Sequence, residues 1–317
     1  MTSADAPKPP LATVILLCFN FERYIGQALD GLFSQTYAPL DIIIVDDCST
    51  DRSAEIIETR LTERSNPSNV RFVRNQRNMT HPIPGILGMI KGQFIIISSG
   101  DDIMLPHMVE HLAHIWIRRQ VSLVTANALY IDEQSNLLDR TFRPLDSPAD
   151  DSFETLARDG TNACCFGAVM GFERTIYETF GWPATDFLEA SDIILPFYAY
   201  LLKGACFSRE PLLKYRVHSR NTSLSLLAER KTGEEELLTL NRSLNNHLAH
   251  AVLFDEELDR LHSQSPERYA AVAERIRPLL TIQMTEMAKK LVRNRRALHN
   301  LRQAAQGADE GRESREG

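Results

Sequence analysis

Three short apolar runs each stop abruptly at a polar cluster, and this repeated break constrains the fold more than any other feature of the chain. Val14–Phe19 runs into Asn20, Asp41–Val45 into Asp46-Asp47-Cys48-Ser49-Thr50-Asp51, and Phe94–Ile97 into Ser98-Ser99-Gly100-Asp101-Asp102. Near-continuous apolar runs of this length read as strands covered on both faces. Between the first two, Glu22–Ser34 has helical spacing, with Tyr24, Ile25, Ala28, Leu29 and Phe33 on one side. Ser53–Arg64 is the next helix, Val70–Val73 a further strand, and Ile86–Lys91 a short helix that Gly92 would end. Strands alternating with helices over ~90 residues require right-handed crossovers and a mainly parallel sheet. Ligands of such sheets bind beyond the carboxyl ends of the strands. Asn20, Asp46-Asp47 and Asp101-Asp102 fall at those ends.

The pattern continues with a helix over Pro106–Arg118, a strand over Ser122–Ala126, a loop over residues 139–152, and strand, helix and turn across Phe166–Pro183. Asp192–Leu202 is helical and Leu212–Val217 is the last strand. After about Leu226 the character changes to long helices, Glu234–Phe254 and Pro266–Gln303, with Pro278 as a kink. The expected organisation is a flexible, proline-rich 1–10, an α/β domain over 11–225, a helical extension over 226–305 and a disordered tail over 306–317.

Several function classes fall away. A net charge of −7 argues against a dedicated nucleic-acid partner, which needs a basic face to meet phosphates. No apolar run approaches the ~20 residues a bilayer requires, and no signal-peptide pattern is read. The five cysteines are Cys18, Cys48, Cys164, Cys165 and Cys206, with no C-x-x-C pair, and read as thiols in a reducing cytosol. A cytoplasmic chain is the expectation. After the first strand the sequence is Asn20-Phe21-Glu22-Arg23-Tyr24-Ile25-Gly26, neither a dinucleotide-binding G-x-G-x-x-G nor a P-loop.

An Asp-Asp pair at one strand end can be no more than a turn or a helix cap. Two pairs facing one crevice repel unless a cation neutralises them, and a hard divalent ion with oxygen ligands does so while bridging to a diphosphate.

These motifs, in this order, resemble the inverting family 2 glycosyltransferases of GT-A fold. Val14-Ile-Leu-Leu-Cys-Phe-Asn20 resembles their opening strand, and Ser34-Gln35-Thr36-Tyr37 their S-Q-T-Y. Ile43-Ile44-Val45-Asp46-Asp47-Cys48-Ser49-Thr50-Asp51 is similar to I-V-V-D-D-G-S-T-D, and Ser99-Gly100-Asp101-Asp102 with Leu105-Pro106 to D-x-D-D…L-P. Ser191-Asp192 with Leu202-Lys203-Gly204 resembles E-D…R-G, and Leu213-Lys214-Tyr215-Arg216-Val217-His218 resembles L-x-Y-R-x-H. The likeness spans about Leu11–Ser225.

The resemblance implies a mixed, mainly parallel sheet flanked by helices and transfer of a sugar from a nucleotide-diphosphate donor, a UDP-sugar above others, to a glycan or lipid-linked acceptor. It implies a divalent cofactor, Mn2+ or Mg2+, held by Asp101, Asp102 and His218, and a general base at Asp192. His218 reads equally well as a residue that only orders the closing loop. On the donor side it implies Phe19 stacking on the base, Asp47 accepting from the base imide, and Asn20, Glu22, Ser99, Asp101 and Asp102 nearby. Ser99 stands where the family has the first Asp of D-x-D, Ser191 where it has Glu, and His81-Pro82-Ile83-Pro84-Gly85 where it often has A-R-N-x-G. Those departures keep open a non-catalytic nucleotide-sugar or glycan-binding relative in a polysaccharide assembly complex. A sugar-nucleotidyltransferase would need a glycine-rich loop that Cys18-Phe19-Asn20-Phe21 does not supply. Lys289, Lys290, Arg293, Arg295, Arg296 and Arg302 make the last helix basic, which reads as a solvated face, a homodimer contact or a peripheral contact with the inner face of a membrane.

Overall fold

The strand β1 (Ala12–Cys18) lies at the centre of the parallel half of the sheet, between β2 (Leu40–Asp46) and β4 (Phe94–Ser99). The computed structural model describes residues 8–65, 67–79, 82–145, 167–182, 190–218, 221 and 233–316. Within its helices the side chains of 190–193, of five positions between 236 and 246, and of 304–316 lie outside the description. Two compact units are present, the first reaching His218 and the second running from Ser219.

In the first unit β3 (Val70–Arg74) pairs in parallel with β2, completing the parallel order β3-β2-β1-β4. Every residue of β1 is buried except Leu17, and Ile42–Val45 of β2 are fully covered. Burial on both faces explains why these strands read as unbroken apolar runs. The crossover helices α1 (Ile25–Phe33) and α2 (Ser53–Glu63) bury the stripes expected of them, Ile25, Ala28 and Leu29 on one and Ile57 and Leu61 on the other.

Beyond β4 the sheet becomes mixed. β8 (Met170–Glu173) runs antiparallel to β4 and to β6 (Leu123–Ile131), and β6 is parallel to β9 (Ala205–Arg216). β5 (Ile103–Met104) pairs with the end of β9, and β7 (Leu137–Thr141) pairs back on β6. Where β8 meets β4, a Cβ on Gly171 would sit 2.3 Å from the Phe94 ring, which stacks at 4.9 Å on Trp116 of α3 (Met108–Arg119). Only glycine lets those two layers close there. The short α4 (Thr175–Phe180) and α5 (Ala190–Leu202) complete the unit.

Several sequence expectations are revised in this unit. Residues 139–141 belong to strand β7, and β6 runs on to Ile131. The last strand starts at Ala205 and runs through Arg209-Glu210-Pro211, where the apolar pattern breaks and the pairing with β6 shifts register at a bulge before resuming. The segment after His81 forms a 3-10 helix, Ile83–Met89, with Pro84 in its first turn, where a missing N–H costs nothing.

In the second unit, α6 (Gly233–Gln264) and α7 (Pro266–Glu316) form an antiparallel hairpin. Leu244 packs with Met287 and Leu291, while Asp255 pairs with Arg277 at 3.0 Å and Glu234 with Arg302 at 2.9 Å. Pro278 lies inside α7 without ending it, and the helix passes Gly307 and continues to Glu316. No described helix is long and apolar enough to cross a membrane.

Candidate active site

Two loops interlock where β1 and β2 end. Asn20 takes the left-handed conformation at φ 57°, which asparagine tolerates better than most residues. Its N–H donates to Ser49 Oγ at 2.9 Å and its Oδ1 accepts from the Thr50 N–H at 2.8 Å. The Glu22 N–H donates to Asp51 Oδ2 at 3.0 Å, and Glu22 Oε2 accepts from the Arg52 N–H at 3.1 Å. Asn20 and Glu22 therefore hold the 49–53 loop against the end of β1. Phe19, just before them, is left 41% exposed. Cys18 is buried beneath this edge, and burial pushes its thiol up to about 12. Iodoacetamide at neutral pH should therefore spare native Cys18 and alkylate it only after unfolding, as peptide mapping would show.

Asp46 and Asp47 serve different neighbours. Asp46 is fully buried; its Oδ2 accepts from the Ser49 N–H and pairs with Arg74 at 3.3 Å, while Oδ1 has no partner among the described residues. Both oxygens of Asp47 accept from the Met79 N–H, at 3.1 and 2.9 Å; Asn75 Nδ2 donates to one at 2.7 Å and Asn78 Nδ2 to the other at 3.1 Å. A carboxylate offers about four lone-pair sites, so the 75–79 loop fills this one.

At the end of β4, the Gly100 N–H donates to Leu17 O at 2.7 Å and ties the Asp101-Asp102 turn to β1. Because β1 separates β2 from β4, Asp47 and Asp101 leave strands that are about 10 Å apart. Asp101 and Asp102 are both buried. Asp101 Oδ2 lies 3.0 Å from His218 Nε2, and Asp101 Oδ1 has no partner among the described residues. Asp102 Oδ1 accepts from the Arg216 N–H at 2.8 Å; burial first and the Asp101 charge second push its carboxyl well up. Ser99 is the last residue of β4, opposite Leu17.

The residue that sequence reasoning left without a role is Arg216. It is completely buried, a rare state for arginine that needs full hydrogen bonding. Its Nε donates to Asp101 O at 2.8 Å, Nη2 to Gln27 Oε1 at 2.6 Å and Nη1 to Ser135 Oγ at 2.9 Å, and the guanidinium lies 4.6 Å over the Tyr24 ring. One side chain thus joins the Asp101-Asp102 turn, α1, the turn after β6 and the end of β9. The signal was present as the Arg of Tyr215-Arg216-Val217-His218. His218 completes the cluster 5.2 Å from Tyr24. A lysine carries its three donors on one nitrogen and cannot reach acceptors spread around a guanidinium, so Arg216→Lys is expected to cost about 1–3 kcal/mol in a denaturant melt, the penalty of unmet buried acceptors.

The structure brings Asp101 and His218 into contact and commits Asp102 to the backbone of β9. Among the described residues no three His, Cys, Asp or Glu side chains form a ready-made metal cluster. The orphaned, buried Asp101 Oδ1 beside an imidazole still fits a divalent cation, an oxygen and a nitrogen donor that can share it with a ligand's own oxygens. Asp192 falls in the first turn of α5, and its side chain lies outside the description.

Solved structures share the fold. TarS of S. aureus, in complex with UDP-GlcNAc, is similar with a TM-score of 0.57 at 15% identity, covering 92% of each chain. A mannosyltransferase from Pyrobaculum calidifontis, in complex with GDP-Man and Mn2+, gives 0.53 at 16%, covering 92% of this chain and 89% of that one. At such identities the likeness shows the fold, that of GT-A glycosyltransferases. Residues 13–181 match the family model for glycosyl transferase family 2, and the chain belongs to that family. It is a glycosyltransferase. An uncharacterized glycosyltransferase of Nostoc sp. is 27% identical over 230 residues, 71% of this chain and 69% of the relative. The glycosyltransferase GlyG of Streptococcus pneumoniae is 28% identical over 123 residues, 40% of its length. Asp192 and His218 lie beyond the residues matched by the family model.

Proposed function

We propose that the chain transfers a sugar from a nucleotide-diphosphate sugar, a UDP-sugar above others, to a hydroxyl of a glycan or lipid-linked acceptor, with inversion at the anomeric carbon. One observation carries the reading: a buried carboxylate oxygen of Asp101 without a partner, next to His218, at the end of β4 and one strand from the loops of β1 and β2. An unmet buried acceptor is costly and is kept where a ligand satisfies it. Asp101 and His218 would hold a divalent cation there. When bound, such an ion supplies Lewis-acid stabilisation to a leaving diphosphate. Phe19, 41% exposed, offers a ring on which a base can stack, next to the Asn20, Glu22 and Ser49–Ser53 interlock. Asp192 takes the proton of the incoming hydroxyl, and the new glycosidic bond forms as the bond to the diphosphate breaks. A single displacement with one carboxylate base inverts the anomeric centre.

Asp47 enters differently from a free acceptor. Its oxygens are filled by the 75–79 loop, so reading a base imide requires one loop donor to give way. Thermal-shift measurements with UDP and GDP, each with Mn2+, test the donor assignment, because a ligand that binds only the native state raises apparent stability by mass action. A larger shift with UDP than with GDP is expected. A larger shift with GDP would overturn the base assignment, and no shift with either would overturn the donor site.

The non-catalytic reading has a specific observation behind it, the Ser99 hydroxyl at the usual first carboxylate of D-x-D. Tight donor binding with no turnover across a broad acceptor panel would favour it.

A further inference from the structure

The second unit carries a charge distribution that sugar transfer does not use. From Glu286 to Arg302, α7 has six cations, Lys289, Lys290, Arg293, Arg295, Arg296 and Arg302, against one carboxylate, in a chain of net charge −7. Two of the six are paired, Lys289 with Glu286 at 2.7 Å and Arg302 with Glu234 at 2.9 Å. Lys290, Arg293, Arg295 and Arg296 meet no carboxylate within ion-pair distance among the described residues.

Helical spacing sorts this segment into two faces. Met287 and Leu291 are buried with Leu244 of α6. Lys289, Val292, Arg293 and Arg296, three or four residues apart, share the exposed face. Large apolar side chains interrupt the cations there: Val292 is 51% exposed, and Ile282, further up the same face, 60%. An open groove of about 330 Å³ is lined by Val292, Arg295, Arg296, His299 and Asn300, so two arginines and the exposed Val292 share one depression.

We propose that this face of α7 docks on an anionic lipid bilayer, with the arginines at the headgroup phosphates and Val292 and Ile282 in the boundary below them. The cations select an anionic partner. Interleaved apolar side chains gain from entering a headgroup boundary, and a nucleic-acid backbone offers them nothing comparable. A chain this acidic overall also meets repulsion along any long polyanion, whereas a flat contact through one helix face confines the encounter to its basic part. The docking face is independent of the donor site.

The test is co-sedimentation of the full chain with vesicles of phosphatidylcholine alone and of phosphatidylcholine mixed with phosphatidylglycerol. Binding is expected to the mixed vesicles only, with release by high salt. Each cation near such a surface contributes a severalfold factor, so the combined Lys289→Glu, Arg293→Glu, Arg296→Glu variant should bind at least ~100-fold more weakly. Circular dichroism should show its helices retained, since all three side chains are exposed. Val292→Ser should weaken binding at high salt more than at low salt. Absence of binding to the mixed vesicles, or equal binding by the triple variant, would overturn the proposal. Self-association or nucleic-acid binding that the triple variant loses, without vesicle binding, would assign the face to those partners instead.

Discussion

Asp101→Asn is expected to lower sugar transfer by about 10²–10³-fold while leaving the melting temperature unchanged or raised. That loss is of the order seen when one element stabilising a developing negative charge is removed, here the cation that Asp101 would hold. The second half of the expectation comes from the fold. Asp101 is buried, one of its oxygens has no partner, and it sits beside the equally buried Asp102. Neutralising it removes a like-charge contact with Asp102, while an asparagine oxygen can keep the contact with His218 Nε2. A residue that matters only to the fold would behave in the opposite way, losing stability with no separate effect on turnover. Parallel measurement of nucleotide release and of thermal unfolding separates the two, and loss of transfer without loss of stability marks a site that trades one for the other.

Asp192→Asn should reduce turnover by about 10²–10⁴-fold and leave donor affinity unchanged. A positioned base contributes that much to a proton transfer, and asparagine keeps the size and the helix-start preference of aspartate while losing the basicity. The donor is bound elsewhere in this account, by the loops of β1, β2 and β4, so calorimetry with the nucleotide sugar should not distinguish the variant from the parent. If the variant instead lost donor binding and turnover in proportion, Asp192 would belong to the donor side and the base would have to be sought on another residue.

The central strands β1, β2 and β4 were legible because they are covered on both faces and so carry no alternation to confuse with a helix. The acidic strand ends were legible for a related reason: charge cannot continue into a dry layer, so it marks where each strand leaves it. What escaped was structure whose stability comes from its pairing and hydrogen-bond partners and not from an apolar pattern of its own. β7 is exposed at Leu137–Arg140 and exists by pairing with β6. β9 crosses Arg209-Glu210-Pro211 because β6 pairs with it on either side of a bulge, in a register that shifts there. Arg216 looked like one more charged residue after a strand, and only the folded chain brings Gln27, Ser135 and the Asp101-Asp102 turn around it. Asp47 was read as a free acceptor because its three partners, Asn75, Asn78 and Met79, follow it by about thirty residues with no motif of their own.

In the proposed reaction Asp101 and His218 would present a cation to a sugar nucleotide. Release of nucleoside diphosphate from UDP-sugars by the purified chain, followed with Mn2+ and again after EDTA, tests this most directly. Release that requires Mn2+, disappears with EDTA and is lost in Asp101→Asn is the predicted result; undiminished release after EDTA together with an active Asp101→Asn variant would contradict it.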